Sequence, residues 1–395
     1  MKSINFFLSI LIIFSGCNKY QKYKGNDTGI IVVDLAENQS IIDLKDITKN
    51  ITFVQLETNR DCLLSGVSKV EFYNDKIFVY DSRYPGHLYC FDSQGKFLFK
   101  VGDSGQGPGE YISLLDFEID IENKCLWLGD DARKILKYDF DGNFVEHYNT
   151  DFSIKNLCII DAQESLMAIR LGYYKDNDFS FIIYSIKDRE IIYHKKSNIV
   201  NIISAIGAKT FYKSEDQIIY TEPLNDTIFT VTKEGMRPYY VIDFGNRKLP
   251  KDLFDNPQLR NIITQINNPD NRYAGLVVNP NETANFLFFG YTYSGKGQIA
   301  IYSIETNKLI NISKISFVGK IFENPKSFFH VQQGNKFISF LPAEQLISEN
   351  ASVKGNLQNG YGSYSDITEI LPNLKEDDNH IMIIGEFDFD KLFPQ

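Results

Sequence analysis

The chain passes twice through the same local pattern, a strand, a tight turn and a second strand: Tyr89-Cys90-Phe91-Asp92-Ser93-Gln94-Gly95-Lys96-Phe97, then Lys137-Tyr138-Asp139-Phe140-Asp141-Gly142-Asn143-Phe144. Phe91 and Tyr138 are 47 residues apart. A repeat of that length suits one propeller blade of four short strands. Each copy follows an alternating apolar run that ends in an acid, Lys76-Ile77-Phe78-Val79-Tyr80-Asp81 and Cys125-Leu126-Trp127-Leu128-Gly129-Asp130. Tyr184, Phe229 and Tyr302 continue the anchor position at intervals of 46, 45 and 73 residues. With 31 Phe and 23 Tyr against one Trp and four Met, the aromatic content favours half-buried strands over long amphipathic helices. The fold expected is all-β, a six-bladed β-propeller with four-stranded antiparallel blades at about 66–101, 112–149, 154–197, 207–244, 285–319 and 326–389.

The long last interval requires an insertion, placed at 245–284, where Pro250, Pro257, Pro269 and Pro280 interrupt strand and Asp252 to Asn267 suits a short helix. A second insertion, rich in Ser, Asn, Gly and Tyr, covers 342–366. In a four-stranded antiparallel blade the loop from second to third strand and the exit to the next blade leave by one face. Both insertions and the Gly102–Glu110 connection therefore share a rim with the turns at 82–86, 131–133, 173–179 and 293–298. Ring closure is expected from Ile30 to Leu35 or Ile51 to Leu56 against Ile381 to Phe387, because an open blade would expose an apolar strand edge.

The first 16 residues read as an export signal: Lys2, a mostly apolar stretch from Ile4 to Phe14, then Ser15-Gly16-Cys17. This resembles a bacterial lipoprotein signal, with Cys17 as the lipidated residue and 17–29 as a flexible tether; the plainer alternative makes Cys17 an ordinary cysteine beside a non-lipid cleavage site. The propeller then occupies 30–395. A lipid anchor makes the membrane a partner, at the outer membrane of a bacterial envelope and facing the periplasm. The formal charge of −10 becomes −11 when Lys2 is removed with the signal. Such a surface, without a basic patch interleaved with aromatics, argues against nucleic acid. Cys62, Cys90, Cys125 and Cys158 lack paired spacing and read as four separate small hydrophobes.

Three segments resemble the six-bladed, NHL-like propeller lipoproteins of Bacteroides and their relatives: Gly105-Gln106-Gly107-Pro108-Gly109-Glu110-Tyr111, the Phe-Asp-x-x-Gly turn at Phe91 to Gly95, and Asn225-Asp226-Thr227-Ile228-Phe229. The resemblance implies the fold and the lipid anchor. It carries no assigned activity, so it transfers no catalytic residue.

No cofactor is expected. The Gly102 to Gly109 loop lacks the lysine and Ser/Thr of a nucleotide-binding loop, and Pro108 removes an amide, which points to tight-turn architecture with Glu110 closing a local hydrogen-bond network. Asp81 and Asp130 suit strand-end capping better than calcium, and no metal site is expected. The binding candidates on the rim are Arg83, Tyr84, His87, Arg133, Tyr173, Tyr174, Tyr291 and Tyr293, whose rings and guanidinium donors suit a glycan, a peptide or an envelope protein; the plainer role for each Tyr is packing between blades. The expected function is a binding or scaffolding module. The alternative is a saccharide- or peptide-directed lyase or hydrolase at the axial mouth.

Overall fold

A computed structural model of the chain describes residues 28–35, 40–172, 179–197, 209–213, 217–255, 258–317, 320–331, 334–348 and 370–394. Among them, six large sheets follow one another as the blades of an all-β, six-bladed propeller. Blade 1 takes its strands from Val67–Tyr73 to Phe97–Val101, blade 2 from Leu114–Asp120 to Phe144–Asn149, and blade 3 from Ile154–Asp161 to Glu190–Lys196. Blade 4 runs from Phe211–Lys213 to Gly235–Asp243, and blade 5 from Ala274–Glu282 to Leu309–Phe317. Blade 6 holds His330–Val331, Lys336–Leu341 and Ile381–Phe387.

Three N-terminal strands, β1 (Gly29–Val32), β2 (Ser40–Asp43) and β3 (Thr48–Gln55), run along the outer edges of the last three blades. Strand β3 pairs antiparallel with Ile381–Phe387 and closes the ring, which selects the second of the two expected closing segments. The first has a different place. Strand β1 adds in parallel to Gly235–Asp243 of blade 4, and β2 adds in parallel to Leu309–Phe317 of blade 5. Alternation explains why β1 is held: Ile31 and Val33 point into the seam between blades 4 and 5, while Ile30 and Val32 face solvent.

Among the described residues six apolar clusters each bridge two successive blades, and a small seventh around Ile262 and Ile266 lies under the first insertion. The sequence anchors Phe91, Tyr138, Tyr184, Phe229 and Tyr302 all lie on third strands, and each is buried in the seam with the preceding blade. Burying such a ring contributes about 1.5–3 kcal/mol, so the anchors are what press blade against blade. Phe387, followed by Asp388, fills the same role in blade 6 and escaped the repeat because the second insertion precedes it. All four described cysteines are free and buried, as small hydrophobes in these seams, and burial pushes the Cys90 and Cys125 thiols up to about 12.

The first insertion is shorter than expected. Its described residues form 3-10 turns at Gly245–Arg247, Lys251–Phe254 and Pro269–Asn271 and a helix at Leu259–Asn267 whose Ile262 and Ile266 are buried. From Ala274 the chain is already the inner strand of blade 5. Register shifts between Gly275 and Val278 and between Val278 and Asn281, with Leu276 and Asn279 at positive φ, accommodate Pro280 at a bulge where no ladder bond is required. Of the second insertion, Ala343–Ser348 is helical, and residues 349–369 lie outside the described residues.

Candidate functional site

The face that carries the insertions is built on repeated aspartate caps. Asp81 ends the second strand of blade 1, buried, and accepts from the Arg83 amide at 2.9 Å and from the Ser65 amide at 2.5 Å. Asp130 ends the second strand of blade 2 and accepts from Ser113 at 2.9 Å and from Ile112 and Ala132 at 3.2 Å. Each carboxylate thus ties the connection arriving from the previous blade to the turn that follows its own strand. This is the strand-end capping expected of them, and it commits both acids to backbone donors.

The Gly102–Tyr111 connection between blades 1 and 2 is locked in the same manner. Glu110 accepts from the Gly107 amide at 2.6 Å, and the Gly105 amide donates to the Tyr111 carbonyl at 2.9 Å. A Cβ on Gly105 would collide with the Glu110 carboxylate, and one on Gly107 would lie 3.0 Å from it. Gly109 has φ 75° and rests against the Phe144 ring, where a Cβ would come within 2.7 Å. The glycines therefore let the loop fold around one carboxylate and onto one ring, as the tight-turn reading expects. Lys134 donates to the Glu110 carbonyl at 2.7 Å and pairs with Asp130 at 3.6 Å.

Beside this loop lies a recess of about 320 Å³, lined by Gln106 to Glu110 and by Lys134, Leu136, His147 and Asn149 from the outer half of blade 2. Lys134 stands opposite Asn149 and Leu136 opposite His147 in the ladder, so the four side chains share one face.

The predicted rim residues divide. Arg83 is exposed and Tyr84 is 80% exposed in the first turn of the face. His87 is half-buried, its Nδ1 3.4 Å from the Tyr111 hydroxyl, and burial, then the Lys100 charge, holds its imidazole below the usual range. Arg133 is exposed at φ 62° in the equivalent turn of blade 2. Tyr293 is half-buried at its strand end. Tyr291 is a correction: at 1% exposure it belongs to the core, its ring against Phe244 and Phe289 and its hydroxyl donating to Asn311 at 3.0 Å. Its place on the apolar face of Phe286–Tyr293, two residues before the strand end, is the physical reason. Tyr173 and Tyr174 lie outside the described residues.

Sequence reading missed a polar ladder around the axis. Lys69 of the first inner strand reaches Asp116 and Glu118 of the second, both at 3.2 Å, and the Phe117 carbonyl. Asp116 accepts from the Leu157 amide at 3.1 Å and from Asn156 at 3.3 Å. Asn156 accepts from Nε of the fully buried Arg170 at 2.7 Å and from Thr210 at 3.2 Å. Burial works against the Lys69 charge, but Asp116, Glu118 and Glu71 outweigh it and raise its pKa. Bulges at Val67/Lys69, Leu114/Asp116 and Ile154/Asn156 place these residues at matching depth in blades 1 to 3. Polar residues interrupting apolar inner strands at the same position, Lys69, Asp116 and Asn156, were the available signal. Among the described residues no group of three His, Cys, Asp or Glu side chains forms a metal site.

Fold and face together define a six-bladed β-propeller whose loops are gathered on one side. A family described as a domain of unknown function, DUF4934, matches residues 29–386, and the chain belongs to it. Among solved structures, a crystal structure of a Bacteroides fragilis protein described as exported is similar at 21% identity, covering 91% of this chain and 99% of that one with a TM-score of 0.69. The WD40 domain of Neurospora crassa Pan2 matches at 9% identity over 81% of this chain and 75% of that one, with a TM-score of 0.42. The likeness to the Bacteroides fragilis protein is one of fold. No curated protein matches the sequence.

Proposed function

We propose that the protein is an envelope-anchored binding module that holds its loop-bearing face away from the membrane and engages a glycan, a peptide or a partner protein there. The observation that carries this reading is the direction of β1. It runs parallel to Gly235–Asp243, whose end leads into the first insertion, so the chain arrives at Gly29 from the side of the opposite face. A tether attached there leaves the decorated face free. The commitment of Asp81, Asp130 and Glu110 to backbone amides favours binding over acid–base chemistry on this face.

Anchoring through a lipid on Cys17 belongs to the same proposal, supported by the Ser15-Gly16-Cys17 sequence and by the exported character ascribed to the Bacteroides fragilis relative. Membrane fractionation should find the mature protein with the outer membrane and its Cys17→Ser variant released; intact mass without acyl chains would overturn the anchor, and protease shaving of whole cells would expose an outward orientation. For the binding face, a photo-crosslinking residue at Tyr84 should capture ligand in cells, and one at Gln94 on the opposite face should not. Equal capture from both positions, or from neither, counts against the reading. Turnover of a glycan or peptide, lost on Asp116→Asn with folding retained, would replace binding by catalysis.

A further inference from the structure

We propose that the recess between the Gly102–Tyr111 connection and the outer strands of blade 2 is a binding site for a small neutral saccharide. The inference rests on the reading of the loop-bearing face as the binding face, since the connection and the ends of the blade 2 strands open onto it. At about 320 Å³ the recess falls at the small end of the range for ligand sites, about 300–1,000 Å³. Its floor is apolar, with buried Leu136 and Gly109 beside Pro108, a surface that suits the C–H face of a sugar ring.

The charges around it are already used. Lys134 is held by the Glu110 carbonyl and Asp130, and the Glu110 carboxylate is held by the Gly107 amide. That same bond spends the amide an anion would need, so the loop offers no anion cradle. What remains are two amides and an imidazole, Gln106, Asn149 and His147, exposed at the rim of the recess. Each combines donor and acceptor capacity, which matches hydroxyl groups rather than a carboxylate, a phosphate or an ammonium. The backbone holding them is rigid, because Tyr138 fixes the Gly109 carbonyl and Phe144 underlies Gly109.

The test is titration of the mature full chain with maltose, cellobiose, lactose, xylobiose and chitobiose, alongside glucuronate, inorganic phosphate and trialanine. The expected result is binding of at least one neutral disaccharide, weakened about tenfold or more by His147→Ala and by Asn149→Ala and left unchanged by Gln94→Ala, an exposed position on the opposite face. Both recess positions are exposed, and thermal melting of each variant confirms that folding is retained. Failure of every neutral saccharide at millimolar concentration overturns the inference, as does binding that ignores both substitutions. Tighter binding of glucuronate, phosphate or trialanine overturns the ligand class. Ligand capture from Tyr84 with no effect of the recess variants leaves the face as a binding face and removes the recess from it.

Discussion

Tyr138 donates its phenolic hydroxyl to the carbonyl of Gly109. The donor is the second anchor of the blade repeat, and the acceptor sits in the glycine-rich connection of the preceding blade. Tyr138 is buried, and burial, then the nearby Glu110 and Asp130 charges, pushes its hydroxyl up to about 12. The bond joins the two most recognisable signals of the sequence into one device that fixes the wall of the recess.

Replacing Tyr138 by Phe keeps the ring in its seam and deletes only the donor. The Gly109 carbonyl then loses a buried partner, and the cost should be about 1–2 kcal/mol in denaturant unfolding. The connection should also loosen, seen as faster amide exchange at Gly107 and Glu110. Unchanged exchange there would show that Glu110 alone orders the loop.

Lys69→Met should be far more costly. It leaves buried Asp116 and largely buried Glu118 without their shared cation, a loss of about 3–5 kcal/mol. The penalty should ease on acidification, as protonation neutralises Glu118, whose pKa burial already raises; a penalty independent of pH would mean that the packing of the lysine stem dominates.

Asp226 gives a pH effect of opposite kind to an ordinary capped aspartate. Burial, partly offset by Lys248 and reinforced by Asp243, raises its pKa from 3.8 to about 6. Between those values the folded state holds the proton that the unfolded chain releases, so this group's contribution falls as pH rises from about 4 through 6. Asp226→Asn should match the parent near pH 4 and exceed it in stability at pH 7, by up to about 3 kcal/mol. Melting curves across that range decide it, and equal stability at pH 7 would remove the effect.

Ring closure is open to the same kind of measurement. Phe53 of β3 lies opposite Ile383 and packs 6.2 Å from Phe317, in the seam between blades 5 and 6. Phe53→Ala should cost about 3–5 kcal/mol. Ile30→Ala, at an exposed position of β1, should stay within about 0.5 kcal/mol. Comparable losses at both sites would mean that the outer strands matter by their edges rather than by their buried faces.

Blade period, strand–turn–strand hairpins and the capping roles of Asp81, Asp130 and Glu110 were legible in the sequence, because each depends on partners within a blade or across one connection. Alternation, turn glycines and acids at strand ends record those short-range bonds directly. The inner strand Ala274–Glu282 was obscured because its bulges break the alternation that identifies a strand.

What only the tertiary structure decided depends on residues far apart in the chain. The choice of β3 for closure, and of blades 4 and 5 for β1 and β2, is a choice among outer edges that present similar backbone donors and acceptors; the buried seams, reached by Ile31, Val33 and Phe53, select among them. Tyr291 is core and Tyr84 is surface although both are tyrosines at the same predicted rim, because one faces a neighbouring blade and the other stands on a turn. The Lys69–Asp116–Asn156–Arg170 ladder and the recess beside Gly107 exist only once successive blades are packed around an axis. Local sequence determines which strands pair; the burial of seams between them determines which polar groups meet.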